Sequence, residues 1–309
     1  FSCVYCYQNK NEKLMTTEVA NMIIEKIDRI LNDNIFEGIN IHYFGGEPLL
    51  NIPVLIYLDE NIKKITDKIG IVYKAFLTTN GSMLSKELLQ KVKFSSIQLT
   101  FDGLEKTHDR LRVSDHFHFK EEIELIENIM NFSQAKVLLR TNICKENKDE
   151  IIALHKYIFE KFGNERIEIN PNRTIKYHQD DSFEMLSVQE YAEVAYQIKL
   201  LWSEQKGKFE LPVPRSTPCK FPYGNAYAIS PEGYCTFCSG SMDQEKKYFF
   251  DVDIENKKMF SVRKECKKCN ILPLCLGGCI IQYNLRAGAC TYEKYELKNI
   301  LISYIKHIS

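Results

Sequence analysis

Short β-rich runs alternate with helical stretches along the chain up to about residue 172. Each run is apolar enough for a buried strand and leads into a polar or glycine-containing turn. The runs are Ile39–Gly46, Val72–Gly81, Ser96–Gly103, Lys136–Ile143 and Arg166–Asn172. Strands that alternate with helices favour βα units and a parallel sheet. The pattern therefore predicts an α/β fold, and it leaves open whether the sheet is doubly wound or closed into a barrel.

Apolar residues also recur at helical spacing. One stripe runs from Val19 to Ile30 and another from Phe119 to Met130, which is typical of helices that face a core. Ser187–Glu190 (SVQE) has the form of a capping box and predicts a helix that runs to about Gln205.

A proline-rich segment, Leu211–Pro218, follows this helix and predicts a domain boundary. We assign residues 1–210 to a first domain and residues 211–309 to a second, cysteine-rich one. The second domain ends in a predicted helix from about Tyr292 to Ile308.

Three polar, glycine-containing groups follow predicted strands. They are Gly45-Gly46-Glu47, Asn80-Gly81 and Asp102-Gly103. A barrel or an open α/β sheet places its active-site loops at these strand ends. Taken alone, Gly45-Gly46 is more simply a tight turn, and Glu47-Pro48 is an ordinary helix start with a carboxylate near the helix N-terminus.

Composition narrows the function classes. The chain of 309 residues carries 41 basic and 41 acidic side chains, so its formal charge is zero, which argues against a nucleic-acid binder. Its hydrophobic fraction of 44% argues against a disordered tail. No run approaches the roughly 20 apolar residues of a membrane span. The sequence starts at Phe1 rather than at methionine, which leaves a removed leader open.

The 11 cysteines are unevenly distributed, because eight of them lie between Cys219 and Cys290. Disulfides fit poorly, since the chain has ample core material and an odd cysteine count. Cys235-x-x-Cys238 and Cys266-x-x-Cys269 are spaced like zinc knuckles. The closely spaced series Cys266, Cys269, Cys275 and Cys279 equally suits the thiolates of an iron–sulfur cubane, so spacing alone leaves zinc and iron–sulfur open.

The N-terminus favours iron–sulfur. Phe1-Ser-Cys3-Val-Tyr-Cys6 forms the last two thirds of a CxxxCxxC loop, whose first cysteine would lie two residues ahead of Phe1. Here the chain resembles the radical S-adenosylmethionine (SAM) enzymes. The segment from Asp102 to Arg112, with His108-Asp109, resembles their SPASM subclass. The SPASM pattern in the tail is met by Cys219, Gly233, Cys238, Cys266, Cys269, Cys275, Cys279 and Cys290.

This resemblance implies a partial (β/α)6 TIM-like barrel of radical SAM type, followed by a small SPASM domain with two auxiliary iron–sulfur clusters. It also implies SAM and one SAM-binding [4Fe-4S] cluster on Cys3 and Cys6. Glu47, in the loop with Gly45 and Gly46, would accept hydrogen bonds from the methionine amino group. The remaining implied SAM contacts are Thr100 and Arg140 near the carboxylate, Tyr5 against the adenine and Asn142 near the ribose.

By the same resemblance, Cys219, Cys238 and Cys279 bind one auxiliary cluster, and Cys266, Cys269, Cys275 and Cys290 bind the other. Cys235 is the candidate fourth ligand of the first cluster. If Cys235 does not bind, one iron is open to a substrate thiolate. Cys144 is interpreted as an ordinary buried thiol.

The resemblance to the SPASM subclass implies one of two reactions, formylglycine formation or peptide maturation. Sulfatase maturases carry an aspartate directly after the cysteine of the Gly-x4-Cys element, where this chain has Ser239 after Cys238. Peptide maturation with thioether or carbon–carbon cross-links is therefore favoured over formylglycine formation, and a zinc-binding interaction module is the non-enzymatic alternative. The expected partners are a peptide or protein substrate with a leader and an electron donor such as flavodoxin or ferredoxin, in an anaerobic cytoplasm and without a membrane or nucleic acid.

Overall fold

The structure, a computed structural model, describes residues 1–8, 13–33, 35–163, 166–176, 182–217, 219, 226–236, 247–251, 262–279 and 290–308. Strands and helices alternate through the first part of the chain. They are α1 (Thr17–Asp33), β1 (Gly38–Tyr43), α2 (Ile52–Ile69), β2 (Val72–Thr78), α3 (Lys86–Lys91), β3 (Phe94–Thr100), α4 (Glu105–Leu111), α5 (Phe119–Phe132), β4 (Lys136–Ile143), α6 (Ile151–Phe162), β5 (Ile167–Arg173) and α7 (Val188–Lys206).

Strands β1 to β5 form one parallel sheet in the order of the chain. The register shifts once, between Ala75 and Phe76 in the β2–β3 pair. In the next two pairs, Thr100 of β3 lies opposite Arg140 of β4, which lies opposite Asn170 of β5. The α/β fold with a parallel sheet and the five strands predicted from the sequence are confirmed.

The two faces of the sheet differ in chemistry. Residues such as Leu77, Ile97 and Leu139 are fully buried on one face and join the helices in the main hydrophobic core. Because successive side chains in a strand point to opposite faces, the residues between them form a second face. This inner face carries mainly polar side chains from Thr78 across to Asn172.

The predicted helices are also confirmed. The two apolar stripes lie on α1 and α5, whose Ile23, Ile27, Ile123 and Ile126 are buried. Ser187 caps α7, because its hydroxyl accepts from the Glu190 N–H while Glu190 accepts from the Ser187 N–H. Each satisfies a backbone donor that the first turn leaves free.

The second part of the chain contains short elements. They are β6 (Ala228–Ile229), β7 (Tyr234–Thr236), β8 (Lys247–Tyr248), α8 (Leu272–Cys275) and the final helix α9 (Glu293–Ile308), which confirms the predicted C-terminal helix. Strands β6 to β8 form an antiparallel sheet. Helix α9 packs along α7. Among the described helices, none is long and apolar enough to cross a membrane.

Candidate functional site

The loops that follow β1, β2 and β3 meet at the carboxyl edge of the parallel sheet, as the sequence predicts. Glu47 joins the first two of these loops. Its Oε1 accepts from the Thr79 hydroxyl at 2.7 Å and from the Leu49 N–H at 3.0 Å, and its Oε2 accepts from the Asn80 N–H at 2.7 Å. Burial raises the pKa of Glu47, and these hydrogen bonds oppose that rise.

Glu47 thus has a structural role that is visible without any ligand. It also caps the short 3-10 helix Pro48–Asn51, which confirms the helix start read from the sequence. A carboxylate offers about four acceptor positions, so three donors leave room on Oε2 for one more, such as an ammonium group.

The glycines of this loop leave space above it. Gly45 has a φ of 152°, which favours glycine, and a Cβ built there meets nothing within 4 Å. A Cβ built on Gly46 meets only Gln8 Oε1, at 3.8 Å. Gln8 follows the two N-terminal cysteines, so the open space lies between the glycine loop and the cysteine loop.

The cysteine loop, Cys3 to Cys6, is closed by a hydrogen bond from the Cys6 N–H to the Cys3 carbonyl at 3.1 Å. Cys6 is exposed and Cys3 is partly buried. Two backbone hydrogen bonds hold the loop against the segment after α4, from the Ser2 N–H to the Val113 carbonyl at 2.7 Å and from the Val4 N–H to the Leu111 carbonyl at 3.0 Å.

Tyr5 attaches the cysteine loop to the end of β3. Its hydroxyl donates to Asp102 Oδ2, and Asp102 Oδ1 accepts from the Asn142 N–H at 2.7 Å. Asp102 is fully buried, and burial raises its pKa and that of Tyr5. The Asp102 carboxylate therefore joins the cysteine loop, the end of β3 and β4. The contact expected between the Tyr5 ring and adenine stays a prediction.

Asn147 is a site residue that the sequence analysis missed. Its Nδ2 donates to the carbonyls of Asp102 at 2.7 Å and Asn142 at 2.9 Å, and its Oδ1 accepts from the Cys144 N–H at 2.9 Å. The only available signal was an asparagine in the loop after β4. Cys144 is fully buried, as predicted for an ordinary thiol, and burial raises its pKa to about 12.

The inner face of the sheet contains the other predicted SAM contacts. Thr100 and Asn142 are buried, and Arg140 Nε donates to Asn142 Oδ1 at 2.8 Å. The structure therefore brings Thr100, Arg140 and Asn142 together, and their contacts with SAM remain predictions.

Five further polar residues on this face were not predicted. His42 Nε2 lies 2.7 Å from Thr78 Oγ1, Asn170 Nδ2 donates to Gln98 Oε1 at 3.1 Å, and Asn172 Nδ2 donates to Asn170 Oδ1 at 3.0 Å. His42 is exposed, and partial burial of its ring lowers its pKa. The alternation within each predicted strand was the signal that could have found them.

The tail cysteines are less fully described. Cys238 lies outside the described residues. Among the described residues, no three histidine, cysteine, aspartate or glutamate side chains lie close enough together to hold a metal ion. Cys219, Cys266, Cys269 and Cys290 are partly buried, Cys275 is buried and Cys279 is exposed. Burial raises the pKa of Cys266, and so do the nearby Cys275 and Cys290 to a smaller extent.

Cys235 has a different environment from these cysteines. It lies on β7, is 3% exposed and belongs to an apolar cluster with Ile23 and Ile27 of α1 and Phe249. Burial raises its pKa to about 11. This environment favours the interpretation in which Cys235 is not a cluster ligand.

The residues at the strand ends fit the cofactors that the sequence predicts. Cys3 and Cys6 offer two thiol ligands on one loop, which is the donor type of iron–sulfur clusters. Beside them lie open space over Gly45 and a carboxylate with a free acceptor position. This combination of thiols, open space and a carboxylate acceptor suits a ligand that carries an ammonium group.

The chain was compared with curated relatives. It is 33% identical over 108 residues to "Uncharacterized protein MJ0907" of Methanocaldococcus jannaschii, a match that spans 34% of the chain and about a third (35%) of that relative. It is 23% identical over 347 aligned positions to "Radical SAM cyclopropyl synthase TigE" of Paramaledivibacter caminithermalis, covering 97% of the chain and 71% of TigE.

Solved structures share the fold. The structure "Native anSMEcpe with bound AdoMet" gives a TM-score of 0.71 at 17% identity, covering 100% of this chain and 96% of that one. The complex of anSMEcpe with AdoMet and the Kp18Cys peptide gives a TM-score of 0.71 at 19% identity, covering 99% of this chain and 94% of that one. Streptococcus suis SuiB bound to S-adenosylmethionine gives a TM-score of 0.56 at 16% identity, covering 91% of this chain and 68% of that one.

The family comparison agrees with the geometry of the strand-end site. The model of the Radical SAM superfamily matches residues 1–158, which include the cysteine loop, the glycine loop and strands β1 to β4. This match covers more than half of the 309 residues. The chain belongs to the Radical SAM superfamily.

Proposed function

We propose that this chain is a SPASM-type radical SAM enzyme that oxidatively modifies a ribosomally made peptide. The observation that carries the proposal is the joint placement of the cysteine loop, the glycine loop and a polar inner face at one edge of the sheet. Cys3 and Cys6 would hold a SAM-binding cluster, and Cys219 to Cys290 would hold two auxiliary clusters. When bound, the cluster and SAM supply reductive cleavage of SAM to a 5′-deoxyadenosyl radical.

The protein's own residues have positioning roles in this proposal. Glu47 orients the methionine amino group while its bonds to Thr79 and Asn80 keep the glycine loop fixed. Thr100 and Arg140, which lie opposite each other on β3 and β4, would face the methionine carboxylate. An external electron donor, such as flavodoxin or ferredoxin, is expected to reduce the cluster.

The peptide as substrate class is supported by a solved structure with the same fold. AnSMEcpe has been solved with the Kp18Cys peptide. The polar side chains from His42 to Asn172 on the inner face, which flank Arg140, suit the amide groups of a peptide, each of which offers both a donor and an acceptor.

The choice of peptide maturation over sulfatase maturation rests on sequence. Cys238 is followed by Ser239, so the aspartate expected of a sulfatase maturase is missing there. The apolar packing of Cys235 supports an auxiliary cluster with one open iron, where a substrate thiolate could bind. This arrangement would suit thioether formation.

The proposal is tested with protein made from the complete reading frame, purified and reconstituted without oxygen. We expect a brown protein with about 8–12 irons and absorption near 400 nm. With dithionite, SAM and a short cysteine-rich peptide encoded beside the gene, it should release 5′-deoxyadenosine while the peptide loses two hydrogens. A Cys3→Ala, Cys6→Ala variant is the control and should release none.

Three outcomes would contradict the proposal. A colourless protein with stoichiometric zinc would contradict the radical mechanism, as would a cluster-replete protein that forms no 5′-deoxyadenosine with its substrate. Formylglycine on a sulfatase-derived peptide, with no change in the cysteine-rich peptide, would favour sulfatase maturation instead.

A further inference from the structure

A buried cation lies directly behind the cysteine loop. Arg112 is only 6% exposed and follows α4. The carbonyls on either side of it, of Leu111 and Val113, are those that accept from the N–H groups of Val4 and Ser2. Arg112 therefore lies opposite Cys3, because the two hydrogen bonds join the residues on either side of Cys3 to those on either side of Arg112.

The guanidinium group is only loosely paired. Its Nη2 is 3.8 Å from Glu122 Oε1, which exceeds hydrogen-bonding distance, and its Nε has no hydrogen-bond partner among the described residues. The Glu122 carboxylate instead lies 3.1 Å from His108 Nε2. The guanidinium carbon also lies 5.2 Å from the centroid of the Phe1 ring, which begins the cysteine segment.

A buried charge acts over a longer range than a solvated one, because the low local dielectric screens it weakly. Arg112 opposes the rise in the pKa of Cys3 that burial causes, and it acts in the same direction on Asp102 and Glu47. Its charge therefore reaches both loops of the site as well as the end of β3. Nothing in the Radical SAM match or in the comparisons assigns it a role.

We infer that Arg112 is a positioning residue that holds the cysteine loop and supplies the positive charge that sets the reduction potential of the cluster bound by Cys3 and Cys6. This inference rests on the proposed function. Net charge and hydrogen bonds near the sulfurs determine the potentials of such clusters. A nearby positive charge stabilises the reduced cluster, which carries one more electron, and so raises its potential.

The test is a redox titration, followed by electron paramagnetic resonance, of anaerobically reconstituted protein from the complete reading frame. The signal that changes when SAM is added identifies the cluster of Cys3 and Cys6. Arg112→Met should lower the midpoint potential by about 59 mV, a tenfold change in the one-electron equilibrium. Arg112→Lys keeps the charge, so its midpoint potential should differ from that of the wild type by no more than about a third of the 59 mV shift.

A second variant covers the case in which Arg112→Met fails to fold. Arg112→Met with Glu122→Leu removes both buried charges, and such apolar replacement of a buried ion pair is often tolerated. The bracketed position of Arg112 beside Cys3 makes its loss dominant, so the potential should still fall.

The outcomes separate this inference from the proposed function. A wild-type protein without a SAM-responsive cluster would overturn both. If the wild type has that cluster, a variant with unchanged iron content and unchanged midpoint potential would overturn only the role of Arg112. This holds for Arg112→Met and for the double variant. An equal fall in Arg112→Lys and Arg112→Met would also overturn it, because charge would then not be the cause.

Discussion

At the scale of single residues, burial fixes the protonation state of His155. This side chain is fully buried, and its Nδ1 accepts from Trp202 Nε1–H at 3.1 Å. A neutral imidazole that accepts at Nδ1 carries its proton on Nε2, which therefore donates to Thr141 Oγ1 at 3.1 Å. Burial lowers the pKa of His155 to about 3, so the folded protein keeps this ring neutral.

His155 should make the protein less stable in mild acid. In the unfolded chain its pKa is about 6.5, so below that pH the unfolded state binds more protons than the folded state. Its contribution is complete above about pH 6.5 and is lost as the pH falls toward 3. Between pH 7.5 and 5.5 the loss is about 1.4 kcal/mol, or roughly 2–4 °C in the unfolding midpoint.

The emission of Trp202, the single tryptophan of the chain, measures this midpoint. His155→Gln is the control, since its amide can keep both hydrogen bonds without titrating. The midpoint of the wild type should fall further between the two pH values than that of the variant. Equal falls would contradict the assignment.

The same scale shows what the sequence could predict. The Gly45-Gly46-Glu47 loop was predictable, because a glycine pair after a strand reports a local backbone requirement. The role of Arg112 was not, although the residue lies in a segment singled out from the sequence. Its role depends on the approach of Ser2 and Val4 to its neighbours from more than 100 residues away along the chain.

At the scale of elements, the parallel sheet separates packing from chemistry. Its five strands were predicted because short β-rich runs alternate with helical stretches along the chain. The contacts within the inner row from His42 to Asn172 were not, because alternation places polar residues on one face but does not fix the register of four strand pairs. Local sequence does not encode which residues of neighbouring strands lie opposite each other.

Asn170 should contribute to peptide binding. It lies on β5, at the end of the inner row, where it is hydrogen-bonded to Gln98 and to Asn172, and it is only partly buried. We expect Asn170→Ala to cost about 1 kcal/mol of stability, for the lost hydrogen bonds, and to raise the peptide KM about tenfold. SAM cleavage without peptide should be unchanged.

The readout is 5′-deoxyadenosine release as a function of peptide concentration. Asn131→Ala, an exposed change on α5, is the matched control and should leave the KM unaltered. A normal KM in Asn170→Ala would mean that the peptide does not contact this row.

Strand β7 offers a test of the ligand sets. Cys235 and Cys275 are both buried, at 3% and 5% exposure, but only Cys235 belongs to the apolar cluster with α1. Valine suits an apolar site and cannot bind iron. Cys235→Val should therefore retain the full iron content of the wild type, whereas Cys275→Val should lose about four irons, one cubane.

Iron analysis of the two reconstituted proteins, with their thermal midpoints, decides the outcome. A loss of iron in Cys235→Val equal to that in Cys275→Val would make Cys235 a ligand and close the coordination of the first auxiliary cluster. Retention of iron would support the open coordination position.

At the scale of the whole molecule, the cysteine-rich part is held to the sheet-containing part by helices. Helix α9 packs along α7, where Lys199 Nζ lies 2.6 Å from Glu296 Oε1 and Tyr196 Oη lies 2.6 Å from Ser303 Oγ. The sequence predicted both helices, α7 from the capping box at Ser187–Glu190. It could not predict that they pair, because Lys199 and Glu296 are 97 positions apart.

The Lys199–Glu296 pair should stabilise this docking, since Glu296 is only 3% exposed. Burial raises the pKa of Glu296 and Lys199 opposes that rise. Lys199→Met leaves the buried carboxylate without its cation. Because Lys199 itself is about one-third exposed, the cost is intermediate between surface and buried pairs, about 1–2 kcal/mol.

A double-mutant cycle isolates this coupling. Glu296→Gln removes the charge and keeps the shape, so the double variant Lys199→Met, Glu296→Gln should be more stable than Lys199→Met alone. Limited proteolysis measures the same docking locally, because a released α9 exposes its backbone to the protease. If Lys199→Met and the double variant unfold at the same temperature and are cleaved at the same rate, the two parts are held together by apolar packing alone. If the double variant regains stability, the charge pair contributes to how α9 docks on α7.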